Sequence, residues 1–219
     1  MSRTTLASED EPRTLAVIIM PFWGGRGRAV PIGAIVIAAA LVMALLGAPA
    51  AASEQAWQAL RQGGAVALVR HARAPGAGDP PGFRLGDCST QRNLSAEGRE
   101  QAKALGARFA AERVQVARVL SSRWCRALDT ATSAFGDRVE QVPALDSFFD
   151  ERGARESRTE ALRRLVEEWS ARDGVLVLVT HQVNVTALTG SSVGEGEVLV
   201  LAPRQTGFTL VGTIRVPPS

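Results

Sequence analysis

Short apolar runs, too short for core helices, constrain the fold of this chain most. Residues 64–70 and 175–180 consist almost entirely of Val, Leu, Ala and Gly before a polar end, with no alternation of apolar and polar side chains. Runs of this kind are typical of strands that are buried on both faces, as in a parallel sheet covered by helices. The sequence therefore predicts an α/β domain.

The segments around these runs complete an alternating pattern. Residues 95–112 are predicted to form a helix with Ser95 as its N-cap, and residues 156–172 an amphipathic helix. A loop rich in Pro and Gly covers residues 74–86. The other predicted elements are helices over 123–134 and 183–188 and strands over 118–122, 139–145, 197–202 and 207–211. The pattern predicts that residues 53–219 form a single three-layer domain with a mostly parallel central sheet flanked by helices.

Residues 1–52 have the composition of an export segment. No charged side chain occurs from 29 to 52, Arg26 and Arg28 precede the apolar run, and small residues follow it. This order is typical of a cleaved signal peptide and predicts a mature N-terminus at Ala51 or Ser53. A retained membrane anchor is the alternative, since the stretch is long enough to span a bilayer.

Both alternatives predict a periplasmic or otherwise extracytoplasmic domain that meets a membrane only through its N-terminal segment. The acidic residues 9–11 are unusual in a signal, whereas the sequence from Met20 onward is a much better one. We therefore favour Met20 as the real start of translation.

Charge and cysteine content narrow the possible functions. A net charge of +3 is too small to indicate a nucleic-acid partner. Export to an oxidising compartment predicts that the two cysteines, Cys88 and Cys125, form a disulfide, with buried free thiols as the alternative. The spacing of two histidines and two cysteines fits no known ligand pattern, so no metal site and no cofactor are predicted.

Polar residues follow the two strongest strands. His71 comes directly after one run and His181 after the other, and they are the only histidines in the chain. Ligands of open α/β sheets bind outside the carboxyl ends of the strands, so neighbouring strands would place both rings in one crevice. Arg70 ends the first of these runs, and a third strand end at residues 121–127 adds Arg123 and Arg126. Histidines with converging arginines suit an anionic phosphoryl group, because the guanidinium group binds phosphate through two parallel hydrogen bonds.

The motifs at these positions resemble those of the histidine phosphatase, or phosphoglycerate mutase-like, superfamily. Its Arg-His-Gly motif is matched by Arg70-His71-Ala72, and its late Thr/Ser-His by Thr180-His181. Its Leu-Thr-x-x-Gly-x-x-Gln-Ala and Ser-Ser-Pro-x-x-Arg-Ala-x-x-Thr-Ala motifs are matched over residues 94–102 and 121–131. By the last match Arg126, rather than Arg123, is the pocket arginine. Residues 87–94, 124–126 and 180–184 are similar to a periplasmic branch that includes lipopolysaccharide core heptose(II)-phosphate phosphatase.

The resemblance implies a metal-independent phosphomonoester hydrolase. His71 is expected to take the phosphoryl group as a phosphohistidine, with Arg70, Arg126 and His181 binding its oxygens. The expected partner is a small phosphorylated substrate, and the finer match implies a cell-envelope sugar phosphate.

Two departures from the family pattern keep an alternative open. Ala72 replaces the glycine after the nucleophile, and the family's proton donor has no clear match; Asp146 is favoured for that role over Asp150 and Glu151 because it is nearest the strand end. The alternative is a catalytically inactive module of the same fold that binds a phosphorylated ligand.

Overall fold

The computed structural model describes residues 48–169 and 174–217, in which one six-stranded sheet carries helices on both faces. The strands are β1 (Val66–Arg70), β2 (Val116–Ser121), β3 (Val139–Gln141), β4 (Val175–Thr180), β5 (Val198–Pro203) and β6 (Phe208–Ile214). The helices are α1 (Ala48–Gln62), α2 (Ala96–Ala111), α3 (Cys125–Phe135), α4 (Arg155–Glu167) and α5 (Gln182–Thr189). Short 3-10 turns occupy Cys88–Thr90, Pro143–Leu145 and Arg152–Ala154.

The sheet is mostly parallel, as predicted. Its strand order is β3-β2-β4-β1-β5-β6, and the first four strands in that order run parallel to one another. Strand β5 returns antiparallel to β1, and β6 is antiparallel to β5. The two strands that end in histidine, β1 and β4, are therefore central neighbours.

Alternate side chains of β1 enter two separate cores, which explains why its sequence is apolar without interruption. Ala67 and Val69 pack in a cluster with Trp57 of α1 and Phe109 of α2. Val66 and Leu68 pack on the opposite face, in a cluster with side chains of α4 and α5. A strand covered on both sides has no polar face, so the predicted three-layer arrangement is confirmed.

Most predicted elements occur within a few residues of their expected bounds, and Ser95 caps α2 by accepting a hydrogen bond from the Gly98 N–H. The predicted strand over 139–145 is too long, because Pro143 has no N–H for the sheet and begins a 3-10 turn. Helix α4 ends at Glu167, earlier than predicted.

Helix α1 was not predicted, because its first residues were assigned to the end of the export segment. It contributes the buried side chains of Ala56, Trp57 and Leu60 to the core. The predicted charge pattern and apolar run at 26–47 lie outside the described residues. Within those residues, none of the helices combines the length and apolar character needed to cross a bilayer.

Candidate active site

Parallel pairing brings the ends of β1 and β4 together. Arg70 lies beside Thr180 in the strand register, and the His71 N–H donates to the Thr180 carbonyl at 2.9 Å. His71 and His181 therefore leave the sheet side by side, with ring centroids 5.4 Å apart and ring planes at 62°. The structure thus places the two predicted histidines in one site.

The protonation of His71 is determined by its own neighbour in the chain. The ring is 2% exposed, and Nδ1 lies 2.8 Å from the carbonyl oxygen of Ala72. A carbonyl can only accept a hydrogen bond, so Nδ1 carries the proton and Nε2 keeps its lone pair. Burial and, to a smaller extent, the nearby arginine charges lower the pKa of His71 from 6.5 to about 3, against the opposing effect of the Ala72 carbonyl. The ring is therefore neutral throughout the physiological range.

His181 is held by a buried chain of polar groups from other elements. Its Nε2 lies 2.8 Å from the Ser122 hydroxyl, and that hydroxyl lies 3.2 Å from Oδ1 of Asp146. Its Nδ1 is buried and has no hydrogen-bond partner within the described part of the chain. Burial, followed by the neighbouring His71 ring and Arg126, lowers the pKa of His181 well below its usual value. The unpartnered Nδ1 is the ring nitrogen available to a ligand.

Three arginines surround the histidines. Arg70 donates to the Val193 carbonyl at 2.8 Å, and Arg126, which is 3% exposed, donates to Asp79 at 2.8 Å. Arg92 donates to the carbonyls of Gly78 and Ala74. The Nε atoms of Arg70 and Arg126 are buried without a partner among the described residues. The site therefore holds unused, fixed hydrogen-bond donors, which suit a phosphoryl group.

These groups line a pocket of about 190 Å³. Its walls include both histidines, the three arginines and the loop from Gly76 to Asp79, with Ser147, Phe149, Gln182 and Val183 completing the lining. The pocket thus combines a neutral histidine, His71, with converging cations.

Asp79 and Arg92 were not among the predicted site residues. Asp79 accepts hydrogen bonds from the Arg126 guanidinium, the Arg92 N–H and the Trp124 indole N–H at 2.8 to 3.1 Å. Burial would raise the pKa of the Asp79 carboxyl, but these donors outweigh burial and lower it. Arg92 lies within the motif at residues 87–94, whereas the only sequence signal for Asp79 was its charge in a loop without periodicity. The hydrogen bonds that hold these two side chains in the site join residues that are far apart in the sequence.

Helix α2 supports the loop that follows His71. A side chain at Gly98 would place its Cβ 2.1 Å from the Arg73 carbonyl oxygen, so only glycine permits this approach. One turn further, Gln101 accepts from the Arg73 N–H at 3.0 Å and donates to the Glu195 carbonyl at 2.6 Å. Glu195 in turn lies 3.8 Å from Arg70 and 3.9 Å from Arg92. Helix α2 thus connects the two loops that border the pocket.

The predicted disulfide between Cys88 and Cys125 is present in the structure. Cys125 begins α3, directly before Arg126, and its N–H donates to the Gln91 side chain at 2.9 Å. The disulfide and this hydrogen bond attach the loop that carries Asp79 and Arg92 to the start of α3.

Asp146, the predicted proton donor, lies outside the pocket lining. Its carboxylate is 0% exposed and accepts two hydrogen bonds from the Arg123 guanidinium, at 2.7 and 2.5 Å. It also accepts from the Arg123 N–H at 2.9 Å. This placement argues against Asp146 as an acid that reaches a leaving group, because its oxygens face Arg123 and Ser122. Asp150 and Glu151 are exposed, and Glu151 pairs with Arg158.

A family model described as histidine phosphatase superfamily (branch 1) matches residues 66–173, which contain β1, His71 and the Arg126 motif. The chain belongs to the histidine phosphatase superfamily. No curated protein matches the chain.

Solved structures of histidine phosphatases and related proteins resemble this chain in fold. The protein histidine phosphatase SixA complexed with tungstate is 16% identical over 68% of this chain and 92% of its own, with a TM-score of 0.47. The product of an open reading frame of Mycobacterium tuberculosis is 13% identical over 67% and 94%, with a TM-score of 0.50. A mycobacterial glucosyl-3-phosphoglycerate phosphatase complexed with VO3 is 20% identical over 63% and 92%, with a TM-score of 0.46. At these identities the likeness concerns the fold alone.

The geometry explains two departures from the histidine phosphatase motifs. Among the described residues only Arg113 combines a side chain with a positive φ, so the backbone at Ala72 suits any residue. The Ala72 N–H donates to the Thr130 hydroxyl at 2.9 Å, and its methyl group is buried with Ala74 and Leu94. Arg123 occupies the proline position of the Ser-Ser-Pro motif, where its N–H and guanidinium bind Asp146. Neither departure removes a group from the pocket.

Proposed function

We propose that this histidine phosphatase hydrolyses a phosphomonoester through a phosphohistidine at His71. The observation that carries the proposal is the fixed tautomer of His71, whose Nδ1 is held by the Ala72 carbonyl. The remaining nitrogen, Nε2, is an unprotonated nucleophile in a pocket lined by three arginines. Family membership supports phosphatase chemistry in this pocket.

The reaction takes two displacements. Nε2 of His71 attacks phosphorus, a P–N bond forms, and the P–O bond to the leaving group breaks. Water then attacks the phosphohistidine, the P–N bond breaks, and inorganic phosphate leaves with His71 restored. A covalent intermediate divides one difficult step into two easier ones. Arg70, Arg126 and His181 bind the phosphoryl oxygens and stabilise the charge of both transition states.

His181 acts here as a hydrogen-bond donor, and its partners prepare it for that role. A bound phosphoryl dianion at Nδ1 favours protonation of the ring, which would be costly in the empty pocket. Nε2 then donates to Ser122, and Ser122 donates to the Asp146 carboxylate. We assign Asp146 as a positioning residue in this chain of hydrogen bonds.

Leaving-group protonation is the weak part of this site. Asp79 is a carboxylate that lines the pocket, and its three donors favour the ionised form. Turnover should therefore depend steeply on the leaving group, with esters of acidic phenols reacting much faster than alkyl phosphates. This dependence also separates an enzyme from a phosphate-binding module of the same fold, which would turn over neither class.

The proposal extends to location and substrate class. We infer an extracytoplasmic enzyme acting on a cell-envelope sugar phosphate, supported by the basic and apolar order of residues 26–52 and by the disulfide. Mass spectrometry of the protein from its native envelope tests the location. An N-terminus at Ala51 or Ser53 supports a cleaved signal, whereas one at Met1 or Met20 indicates an anchor.

The decisive experiment traps the intermediate. The protein is mixed with a ³²P-labelled aryl phosphate in the presence of EDTA and quenched in alkali and in acid. Label that is stable in alkali and labile in acid, on a peptide containing His71, supports the phosphohistidine. Turnover that requires an added metal, or label on another residue, contradicts it.

A further inference from the structure

A second cleft continues from the phosphate pocket. It has a volume of about 470 Å³ and shares Phe149, Gln182 and Val183 with the phosphate pocket. Pockets for small organic ligands typically measure about 300–1,000 Å³, so the phosphate pocket of about 190 Å³ is smaller than a typical site for a whole organic ligand. The second cleft is therefore the adjoining space for the part of a substrate beyond the phosphoryl group.

One wall of this cleft is apolar. It contains Phe148, Phe149, Val183 and Ala187. Phe149 is 50% exposed, the highest value among the three exposed large hydrophobic side chains of the described residues. The polar residues beside this wall are already engaged, since Gln182 donates to the Thr186 hydroxyl at 2.7 Å. The wall thus offers an aromatic surface to a ring or other apolar part of a ligand.

The same cleft also has a positively charged part, which is lined by Arg152 and Arg155. No carboxylate lines it, and within residues 48–169 and 174–217 neither arginine forms an ion pair with a carboxylate. The neighbouring arginines differ in this respect: Arg158 pairs with Glu151, and Arg163 and Arg164 both lie within 4 Å of Glu160. The two cleft arginines are therefore the cations of this segment that remain available to an anionic ligand.

We propose that the leaving group of the substrate carries a second anionic group, a carboxylate or a phosphate, next to a ring or other apolar part. The transferred phosphoryl group lies at His71, the ring contacts Phe149, and the second anion binds Arg152 and Arg155. The inference rests on the proposed function and specifies its substrate class: a small phosphate ester whose leaving group carries an anionic group of its own.

A matched pair of esters tests the charge. The esters are 4-carboxyphenyl phosphate and 4-carbamoylphenyl phosphate, which have nearly the same shape and differ by one negative charge. The measured quantity is the ratio of their kcat/KM values in wild type and in Arg152→Gln/Arg155→Gln. We expect the double variant to lower the preference for the carboxylate about fivefold to tenfold, mainly through KM, because each exposed ion pair contributes modestly.

Arg163→Gln/Arg164→Gln is the control, since it removes the same charge from the helix that carries Arg155, at two positions outside the cleft. Its carboxylate preference should match that of wild type. A preference that is equal in all three proteins, or that falls equally in both double variants, overturns the subsite.

Equilibrium binding of both esters to His71→Ala separates this inference from the proposed function. Binding there needs no turnover, so a carboxylate preference that depends on Arg152 and Arg155 supports the subsite even if wild type proves inactive. Normal turnover of both esters without any charge preference retains the proposed function and rejects the subsite.

Discussion

The two histidines leave adjacent strands at the same edge of the sheet, yet they are held in opposite ways. His71 is positioned by the carbonyl of the next residue, so its tautomer follows from the local backbone. His181 depends on Ser122 at the end of β2 and, through it, on Asp146 and Arg123. The difference shows that the tautomer of His71 is set locally, whereas the orientation of His181 depends on contacts between elements far apart in the chain.

The largest expected effect is on His71 itself. His71→Ala should lower turnover of an aryl phosphate by several orders of magnitude, because the proposed nucleophile is lost and the other ring of the pocket, His181, is assigned to hydrogen-bond donation. It should still bind vanadate, since the arginines and His181 remain. Arg126→Ala should instead weaken vanadate binding and turnover together, because its charge acts on both states. Steady-state kinetics and vanadate titration of the two variants measure this split, and equal loss of vanadate binding in both would contradict it.

Removing the disulfide is a way to disturb the tertiary contacts of the site without replacing a residue that lines the pocket. Cys88→Ser/Cys125→Ser should lower the free energy of unfolding by roughly 4 kcal/mol, because the bond closes a long loop. KM should rise, since the loop with Asp79 and Arg92 loses its attachment to α3. The His71 tautomer should survive, so phosphoenzyme should still form at saturating substrate. Urea denaturation tests the loss of stability, and rapid-quench labelling tests whether the phosphoenzyme still forms. Loss of labelling in folded protein would show that the His71 tautomer also depends on the disulfide.

A smaller effect on turnover is expected from changes to Ser122 and Asp146, which hold the His181 ring. Ser122→Ala should lower kcat about tenfold to a hundredfold, since a misplaced donor stabilises the transition state poorly. Asp146→Asn should act in the same direction through Ser122. The ¹⁵N chemical shifts of His181 with bound vanadate should change in both variants, whereas those of His71 should not. Unchanged His181 shifts alongside a lower kcat would show that the network does not act through that ring.

The smallest effect concerns stability at mildly acidic pH. An unfolded histidine takes up a proton near pH 6.5, whereas folded His71 does so only near pH 3. The unfolded state therefore binds more protons between these values, and stability falls as the pH drops below about 6.5. His71→Gln and His181→Gln should each reduce the loss between pH 7 and 5, because both folded pKa values are lowered. Urea midpoints across this range test it; an unchanged slope in either variant would rule out that histidine as a contributor.

The residues that were predictable from sequence are those whose environment is local. Strand β4 was predicted at its observed bounds because it is apolar throughout, and His181 followed from the strand end. The predicted strand over 139–145 is longer than β3, because Pro143 cannot donate a hydrogen bond to the sheet and the prediction did not take this into account. Asp146 was identified as a carboxylate near the strand end, but its contacts with Arg123 and Ser122 are set by β2 and are invisible along the chain. Asp79 was missed for the same reason.

Counting arginines overstates the attraction of the pocket for its product. Asp79 neutralises part of the charge of Arg126, and Glu195 lies within 4 Å of both Arg70 and Arg92. Three unopposed guanidinium groups would retain inorganic phosphate after each cycle and slow the next one. The two carboxylates reduce that attraction, so orthophosphate should dissociate readily and inhibit only at high concentration. The net charge of the pocket therefore allows phosphate to be released as well as the substrate to be bound.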